Sequence, residues 1–426
     1  MCPCQKLSHA EASPRPWNEN ISVLKNHPPQ RIWDWSYRGH MGSTSRSTRR
    51  IPGVTTKILT VTAILLGSVL VLLTIMGLTP SLNSAGLAAS VLLSSTAPWC
   101  VVAALVALTM AWLGRRAERA SRIAAVLTTI GLVLPLTVCV TTPVTMKHAG
   151  GTVNPLSALH TASMASPPDE VLHDTPRKGQ SIQVYRPHSP GPHPVLVDIH
   201  GGGWNTDAKM SAVLRSLADA GWVVVRPSYP LSTPTRATWE KAPEAVACSW
   251  AWAGTHADRL HADTSSMVIM GDSAGGQLAI NLSYQIAQGT ASTSCGKLHE
   301  PAAVIGLYPA LDLTQLASLK ALGINHAATE YLGGTPEQYP DRYRYANSVT
   351  WVSPKAPRTF ILRGGRDTLV PPSGTDRFVA RDRAAGVGVT DVKIPLLDHA
   401  FDSQTRNSLG YQSTVSVLRD WLAQVR

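Results

Sequence analysis

The chain has 426 residues, of which 44% are hydrophobic and 15% charged, and it carries a formal net charge of +11. That basicity is not the footprint of a nucleic-acid binder. Residues 1–150 hold 14 lysines and arginines against 4 acidic residues, whereas residues 151–426 hold 24 against 23, so no basic stripe is left on the C-terminal part to track phosphates.

Residues 1–40 mix prolines, tryptophans and charges without periodicity and read as a disordered tail that continues through the basic stretch to residue 57. Met41 opens a short basic N-terminus of conventional form, which makes it an alternative start. Cys2 and Cys4 form a Cys-x-Cys pair with no further ligands, too few for a metal site. Residues 58–78, 91–113 and 123–146 are free of charge and apolar all round, each long enough to cross the ~30 Å hydrocarbon core as a helix. Pro98 and Pro135 are tolerable in such helices. Residues 58–146 are therefore expected to be a membrane anchor of three transmembrane helices.

Charge fixes the expected orientation. Arg46, Arg49, Arg50 and Lys57 precede the first span, Arg115, Arg116, Arg119 and Arg122 separate the second from the third, and residues 79–90 carry no charge. Positive loops stay in the cytoplasm, so a multi-pass protein of the cell membrane is expected, with its C-terminal part extracytoplasmic. Residues 147–180, with scattered Gly, Pro, Ser and His, read as a juxtamembrane tether, and residues 181–426 as a catalytic domain.

Within that domain, strand candidates at 182–185, 195–200, 222–227, 267–271, 303–307, 360–363 and 392–397 alternate with helical stretches at 206–220, 237–255, 275–288, 374–386 and 406–425. Such alternation predicts an α/β fold, a mainly parallel sheet with helices on both faces. The second strand runs into His200-Gly201-Gly202-Gly203-Trp204. Glycines leave backbone N–H groups unshielded, and the N–H groups of Gly202 or Gly203, with that of Ala274, are the candidate oxyanion hole. Trp204 is expected to wall the acyl side as a substrate-binding residue. A phosphate-cradling loop would need a lysine and hydroxyl that are missing here.

The fourth strand candidate leads into Gly271-Asp272-Ser273-Ala274-Gly275. This is the pattern of a nucleophile elbow, which holds a serine on a strained strand-to-helix turn with its hydroxyl clear of the backbone. A triad on such a sheet follows in the order Ser, Asp, His, and the two later strands end at Asp367 and His399. The catalytic candidates are thus Ser273, Asp367 and His399, with Asp398 and Asp402 competing for the acid role. Residues 310–355 depart from the alternation and read as a modest lid, whose Tyr331, Tyr339, Tyr343, Tyr345 and Trp351 serve either packing or the acyl group. Cys248 and Cys295, the only cysteines of the domain, are expected to pair as a disulfide, as an oxidising compartment permits, with two buried free thiols as the alternative.

Residues 175–426 resemble the α/β-hydrolase superfamily. The pairing of His200-Gly201-Gly202-Gly203-Trp204 with Gly271-Asp272-Ser273-Ala274-Gly275-Gly276 is similar to the hormone-sensitive-lipase-like and feruloyl-esterase-like carboxylesterases, and the likeness extends to Tyr331-Leu332-Gly333-Gly334 and Ser353-Pro354-Lys355-Ala356-Pro357. Two departures stand out: Tyr229-Pro230-Leu231-Ser232-Thr233-Pro234 where relatives often carry Tyr-Arg-Leu-Ala-Pro-Glu, and Asp398-His399-Ala400-Phe401 where Gly-His-Gly-Phe is usual. The resemblance implies a serine carboxylesterase or lipase acting on a small-molecule or lipid ester through an acyl-enzyme, with no cofactor and no metal. Short-chain esters are expected, because no large cap precedes the domain. Acyl transfer or formamide hydrolysis on the same fold is the alternative within that chemistry. A catalytically silent, membrane-tethered binding module is the alternative outside it, disfavoured by the intact Ser273, Asp367, His399 and glycine loop.

Overall fold

The computed structural model describes residues 53–79, 84–208, 210–319 and 323–425. The expected tail with Cys2, Cys4, Met41, Arg46, Arg49 and Arg50 lies outside them. The N-terminal helices are α1 (Val54–Leu78), the short α2 (Ser84–Val91), α3 (Leu93–Leu113) and α4 (Glu118–His148). Three of them are long and apolar enough to cross a membrane. The second expected span begins at the end of α2 and continues as α3 after a break at Leu92.

This bundle turns its large apolar side chains outward. Val61, Leu65, Val69, Leu105 and Val133 are exposed, whereas the contact between α1 and α4 is made by small residues. A side chain at Gly67 would collide with Thr128, and one at Gly131 with Leu70. Thr74 Oγ1 donates to the Gly131 carbonyl at 3.1 Å. Close backbone approach and interhelical hydrogen bonds are what hold helices together in lipid, where burying apolar surface gives no driving force.

The rest of the chain builds an α/β domain. Its strands are β1 (Glu170–His173), β2 (Ser181–Tyr185), β3 (His193–Ile199), β4 (Val223–Pro227), β5 (Ala262–Asp272), β6 (Ala303–Leu307), β7 (Arg358–Gly364) and β8 (Val389–Ile394). They form one sheet in the order β1-β2-β4-β3-β5-β6-β7-β8, antiparallel at β1–β2 and β2–β4 and parallel from β4 to β8. The helices are α5 (Ser211–Asp219), α6 (Lys241–Thr255), α7 (Ala257–Leu260), α8 (Ala274–Gln288), α9 (Leu313–Ser318), α10 (Ile324–Leu332), α11 (Pro340–Ala346), α12 (Pro372–Ala384) and α13 (Leu409–Ala423). Side chains alternate across a strand, so β3 sends Val195 and Val197 to a core with Trp250, Leu278 and Phe378 of α6, α8 and α12, and Leu196 to a second core with Leu217 and Leu418 of α5 and α13. Strands buried on both faces read as continuous apolar runs, which is why β3 to β7 stand out in the sequence.

Three features differ from the expectation. Strand β1 lies inside the segment expected as a tether and pairs with β2. The residues before it run along α13: Ser416 Oγ accepts from Thr152 N–H at 3.1 Å, and Gln412 Oε1 from Asn154 N–H at 2.7 Å. The last strand ends at Ile394, three residues earlier than expected, because the apolar residues 395–397 turn out of the sheet towards Asp398.

A disulfide joins Cys248 of α6 to Cys295 in the loop after α8, with Cα atoms 5.0 Å apart at a sequence separation of 47. Cross-linking a loop of that size restricts the unfolded chain and stabilises by about 2–4 kcal/mol. Replacing both cysteines by alanine is therefore expected to lower the urea midpoint of the domain markedly. An unchanged midpoint, with both native thiols open to alkylation, would contradict the bond.

Candidate active site

The parallel register sets Ile199 at the end of β3 beside Gly271 of β5, so the glycine loop and the turn at Ser273 leave the sheet side by side. A ligand crevice is expected there, at the carboxyl ends of the central strands. Ser273 has φ 52° and ψ −116°, a strained conformation for a residue with a side chain. Three backbone bonds hold it: Ser273 N–H donates to the Leu307 carbonyl at 2.9 Å, and the Ser273 carbonyl accepts from Ala310 N–H at 3.0 Å and Gln277 N–H at 3.2 Å. A Cβ on Gly275 would strike the Ile199 carbonyl, and one on Gly271 would strike Gly275. Only glycine admits this approach of α8 to β3.

Asp367 follows β7 and His399 follows β8, and the structure brings both to Ser273. His399 Nδ1 donates to Asp367 Oδ2 at 2.8 Å, and its Nε2 lies 2.9 Å from Ser273 Oγ. The other carboxylate oxygen, Asp367 Oδ1, accepts from Leu369 N–H and Val370 N–H at 3.1 and 2.7 Å. With the proton on Nδ1, Nε2 is free to take the hydroxyl proton while the carboxylate stabilises the imidazolium that forms. Burial alone would push the His399 pKa down, but the charge and hydrogen bond of Asp367, with Asp398 and Asp272 adding, raise it above its ordinary value.

The competing carboxylates are engaged elsewhere. Asp398 accepts from Thr368 N–H, Thr368 Oγ1 and His399 N–H. Asp402 accepts from Tyr308 OH at 2.7 Å and Thr414 Oγ1 at 2.6 Å. Tyr308 itself was not among the candidates. It has φ 38° and sets its ring edge-on to His399 at 4.8 Å.

The glycine loop is anchored from below. Gly201 N–H donates to Asp272 Oδ1 at 2.9 Å, Tyr229 OH donates to the His200 carbonyl at 2.9 Å, and the His200 ring stacks on Tyr229 at 4.1 Å. His200 is thus a support of the loop. Gly202 and Gly203 adopt φ 107° and 58°, and their N–H groups have no protein acceptor among the described residues. Trp204 borders the same space, yet its indole is 1% exposed, stacked on Tyr331 and donating to Gln277 Oε1 at 3.1 Å, so packing fixes it in place.

A cavity of about 380 Å³ opens over Ser273 and His399. Leu316, Ala327, Leu369, Val370, Ala310 and Ala400 give it an apolar lining. None of the five aromatics of the lid-like segment lines it. Tyr339, Tyr345 and Trp351 instead border a separate surface pocket, and Tyr331 and Tyr343 are buried. Single aliphatic residues scattered over loops and the short helices α9 and α10 carry no sequence signal of their own, so the lining was not legible beforehand. Among the described residues no cluster of His, Cys, Asp and Glu is arranged to hold a metal.

Comparison with known proteins agrees with this geometry. Residues 182–381 match the BD-FAE family model, and the sheet with its flanking helices superposes on the native esterase 2 of Thermogutta terrifontis with a TM-score of 0.50 at 21% identity, over 62% of this chain and 95% of that one. The C-terminal domain has the α/β-hydrolase fold. This hydrolase domain is 28% identical over 218 residues to esterase LipC of Mycobacterium tuberculosis, covering 50% of this chain and 54% of LipC. It is also 28% identical over 181 residues to an ethyl acetate hydrolase of Pseudomonas putida, covering 40% and 53%. The chain thus spans about half the length of the curated relatives it matches.

Beneath the site, burial and the nearby charge of Asp198 push the Asp272 carboxyl up to about 7, against the pull of Arg226 and of Gly201 N–H. A carboxyl raised on folding favours the native state in its protonated form, so its contribution is present below the unfolded value near 3.8 and is lost as pH climbs to about 7. Asp272→Asn keeps an acceptor for Gly201 and removes the charge. Denaturant unfolding at pH 5 and pH 8 is expected to show a smaller loss of stability with rising pH in the variant than in the wild type. An equal or larger loss would contradict the assignment.

Proposed function

We propose that the protein is a membrane-anchored serine carboxylesterase that cleaves short-chain carboxylic esters on the extracytoplasmic side of the membrane. The observation that carries this reading is the hydrogen-bonded row Ser273–His399–Asp367 opening into a small apolar cavity. Ser273 is the nucleophile, His399 the general base and then acid, and Asp367 the group that orients and stabilises the imidazolium. The carbonyl oxygen of the bound ester enters the hole formed by the N–H groups of Gly202 or Gly203 and of Ala274, where loss of one donor costs on the order of 3 kcal/mol of barrier. Ser273 attacks the carbonyl carbon, the alcohol leaves with the proton held by His399, and water releases the acid from the acyl-enzyme.

The esterase relatives support the ester bond as the target, and the name of the Pseudomonas putida enzyme supports a small one. The cavity lies near the lower end of the ~300–1,000 Å³ usual for small-molecule sites, which favours a short acyl group. Membrane anchoring rests on the three long apolar helices. For the orientation, Arg115, Arg116, Arg119 and Arg122 sit at the end of the bundle away from Gly77 and Ser94, which touch the hydrolase domain. Cytoplasmic retention of those arginines leaves the domain outside.

Three outcomes are expected. Ser273→Ala and His399→Ala lose turnover of an activated ester by several orders of magnitude with the fold retained, because the attacking atom or its base is gone. Asp367→Asn behaves likewise, and near-normal activity in Asp367→Asn combined with loss in a variant of Asp398 or Asp402 would contradict the acid assignment. The second concerns pH: kcat/KM rises with pH along a limb centred above ~6.5, the ordinary imidazole value, since only neutral His399 accepts the proton. A midpoint clearly below that value would contradict the Asp367–His399 coupling. Finally, p-nitrophenyl acetate and butyrate have higher kcat/KM than the palmitate, since each methylene adds ~0.8 kcal/mol only where a channel buries it. A maximum at palmitate would make the protein a lipase, and faster formamide cleavage would move it to the amide alternative.

A further inference from the structure

We infer that the natural substrate is a short-acyl ester carried by a membrane-held alcohol, taken by Ser273 from the headgroup layer of the bilayer in which the protein itself is anchored. This rests on the esterase activity and membrane insertion proposed above, and it concerns where the ester is held and which part of it enters the cavity.

The two loops that hold the acid and the base are bonded to the ends of the membrane helices. Arg366, next to Asp367, donates from Nη2 to the Gly77 carbonyl at 2.9 Å. Gly77 lies in the last turn of α1, where carbonyls have no partner within the helix. Ser94, in the first turn of α3, donates through Oγ to the carbonyl of Phe401, two residues after His399. Met146, near the end of α4, is buried in the same core as Leu397 and Phe401, the residues on either side of His399. Helices α1 and α3 thus touch the domain beside the proposed active site, at the end of the bundle opposite the arginines, and α4 ends in the core that holds Leu397 and Phe401.

Chain geometry limits how far the site can stand from these contacts. Leu369 and Ala400 line the cavity. Ala400 is one residue from Phe401, whose main-chain carbonyl bonds Ser94, so their Cα atoms are about 4 Å apart, and this is the tighter of the two contacts; Leu369 stands three residues from Arg366, which reaches Gly77 through its side chain. The 25 residues of α1 extend about 37 Å and the 21 of α3 about 31 Å at 1.5 Å each, against a ~30 Å hydrocarbon core, so the outer ends of both helices reach the headgroup layer, which is itself only about 5–8 Å deep. One rim of the cavity is therefore held at the height of the lipid headgroups. An ester dissolved in bulk water gains nothing from that height, whereas a substrate confined to the same bilayer gains an effective concentration of the kind that tethering provides.

Cavity size decides which part of the substrate goes in. About 380 Å³ cannot enclose a two-chain lipid, so the acyl group that enters is small and the bulk of the molecule stays at the rim, in the membrane. In the reaction, Ser273 Oγ bonds to the acyl carbon, the bond to the membrane-held alcohol breaks, and that alcohol leaves with the proton from His399. Water then attacks the acyl-enzyme, giving a short carboxylic acid that diffuses away and restoring the Ser273 hydroxyl.

The test uses the full-length protein reconstituted into phosphatidylcholine vesicles, with 1,2-dipalmitoyl-3-acetylglycerol either in the same vesicles or in separate ones, and p-nitrophenyl acetate in the water as an internal control. The expected result is acetate release at least about tenfold faster in the same-vesicle arm, with equal turnover of p-nitrophenyl acetate in both arms. Equal acetate release from both vesicle populations, or no release while p-nitrophenyl acetate is hydrolysed, would overturn the inference and leave the esterase reading standing. Palmitate released ahead of acetate would overturn the assignment of the short acyl group. Failure on p-nitrophenyl acetate as well would remove the esterase reading, and the inference with it.

Discussion

The backbone of α8 lies so close to the end of β3 that a Cβ at Gly275 would strike the Ile199 carbonyl. Much of the site depends on this contact. It fixes the turn at Ser273 in its strained conformation and sets the glycine loop next to that turn. The strain of the turn, of order 1–3 kcal/mol for such a conformation, is sustained by bonds to Leu307 and Ala310 on neighbouring β6 and its following loop. The geometry at Ser273 is thus a property of three adjacent strands and not of the pentapeptide alone.

The parts legible in the sequence are those whose cause is local. The elbow and the glycine loop need glycine at particular positions because backbone approaches backbone, and that requirement is written in consecutive residues. Asp367 and His399 are legible because each stands in the loop after an apolar strand. What the sequence concealed depends on distant partners: Tyr308 and Asp402 meet across 94 positions, and the lining residues Leu316 and Ala327 are ordinary apolar residues until the lid segment folds over the site. Trp204 does line the cavity over Ser273, but Gln277 and Tyr331, which hold its ring, are also distant in sequence. Strand β1 was hidden because a four-residue edge strand of half-exposed alternating residues has no apolar run to announce it.

The membrane helices and the hydrolase domain are linked by the segment after α4, which lies along α13, and by the contacts at Gly77 and Ser94. Loops run over the domain surface, and here the loops after β7 and β8 each have a hydrogen bond to one of the long apolar helices. The disulfide bears independently on where the domain resides. Disulfides such as Cys248–Cys295 are rare in the cytosol, which fits the extracytoplasmic side proposed for the domain.

The central claim is that Ser273 is an activated nucleophile. It is tested most directly by treating the full-length protein with a fluorophosphonate and locating the adduct by peptide mass spectrometry. The account predicts one stoichiometric adduct, on Ser273, that forms in the wild type and is lost in His399→Ala. An unlabelled wild-type protein, or an adduct on any other residue, would contradict it.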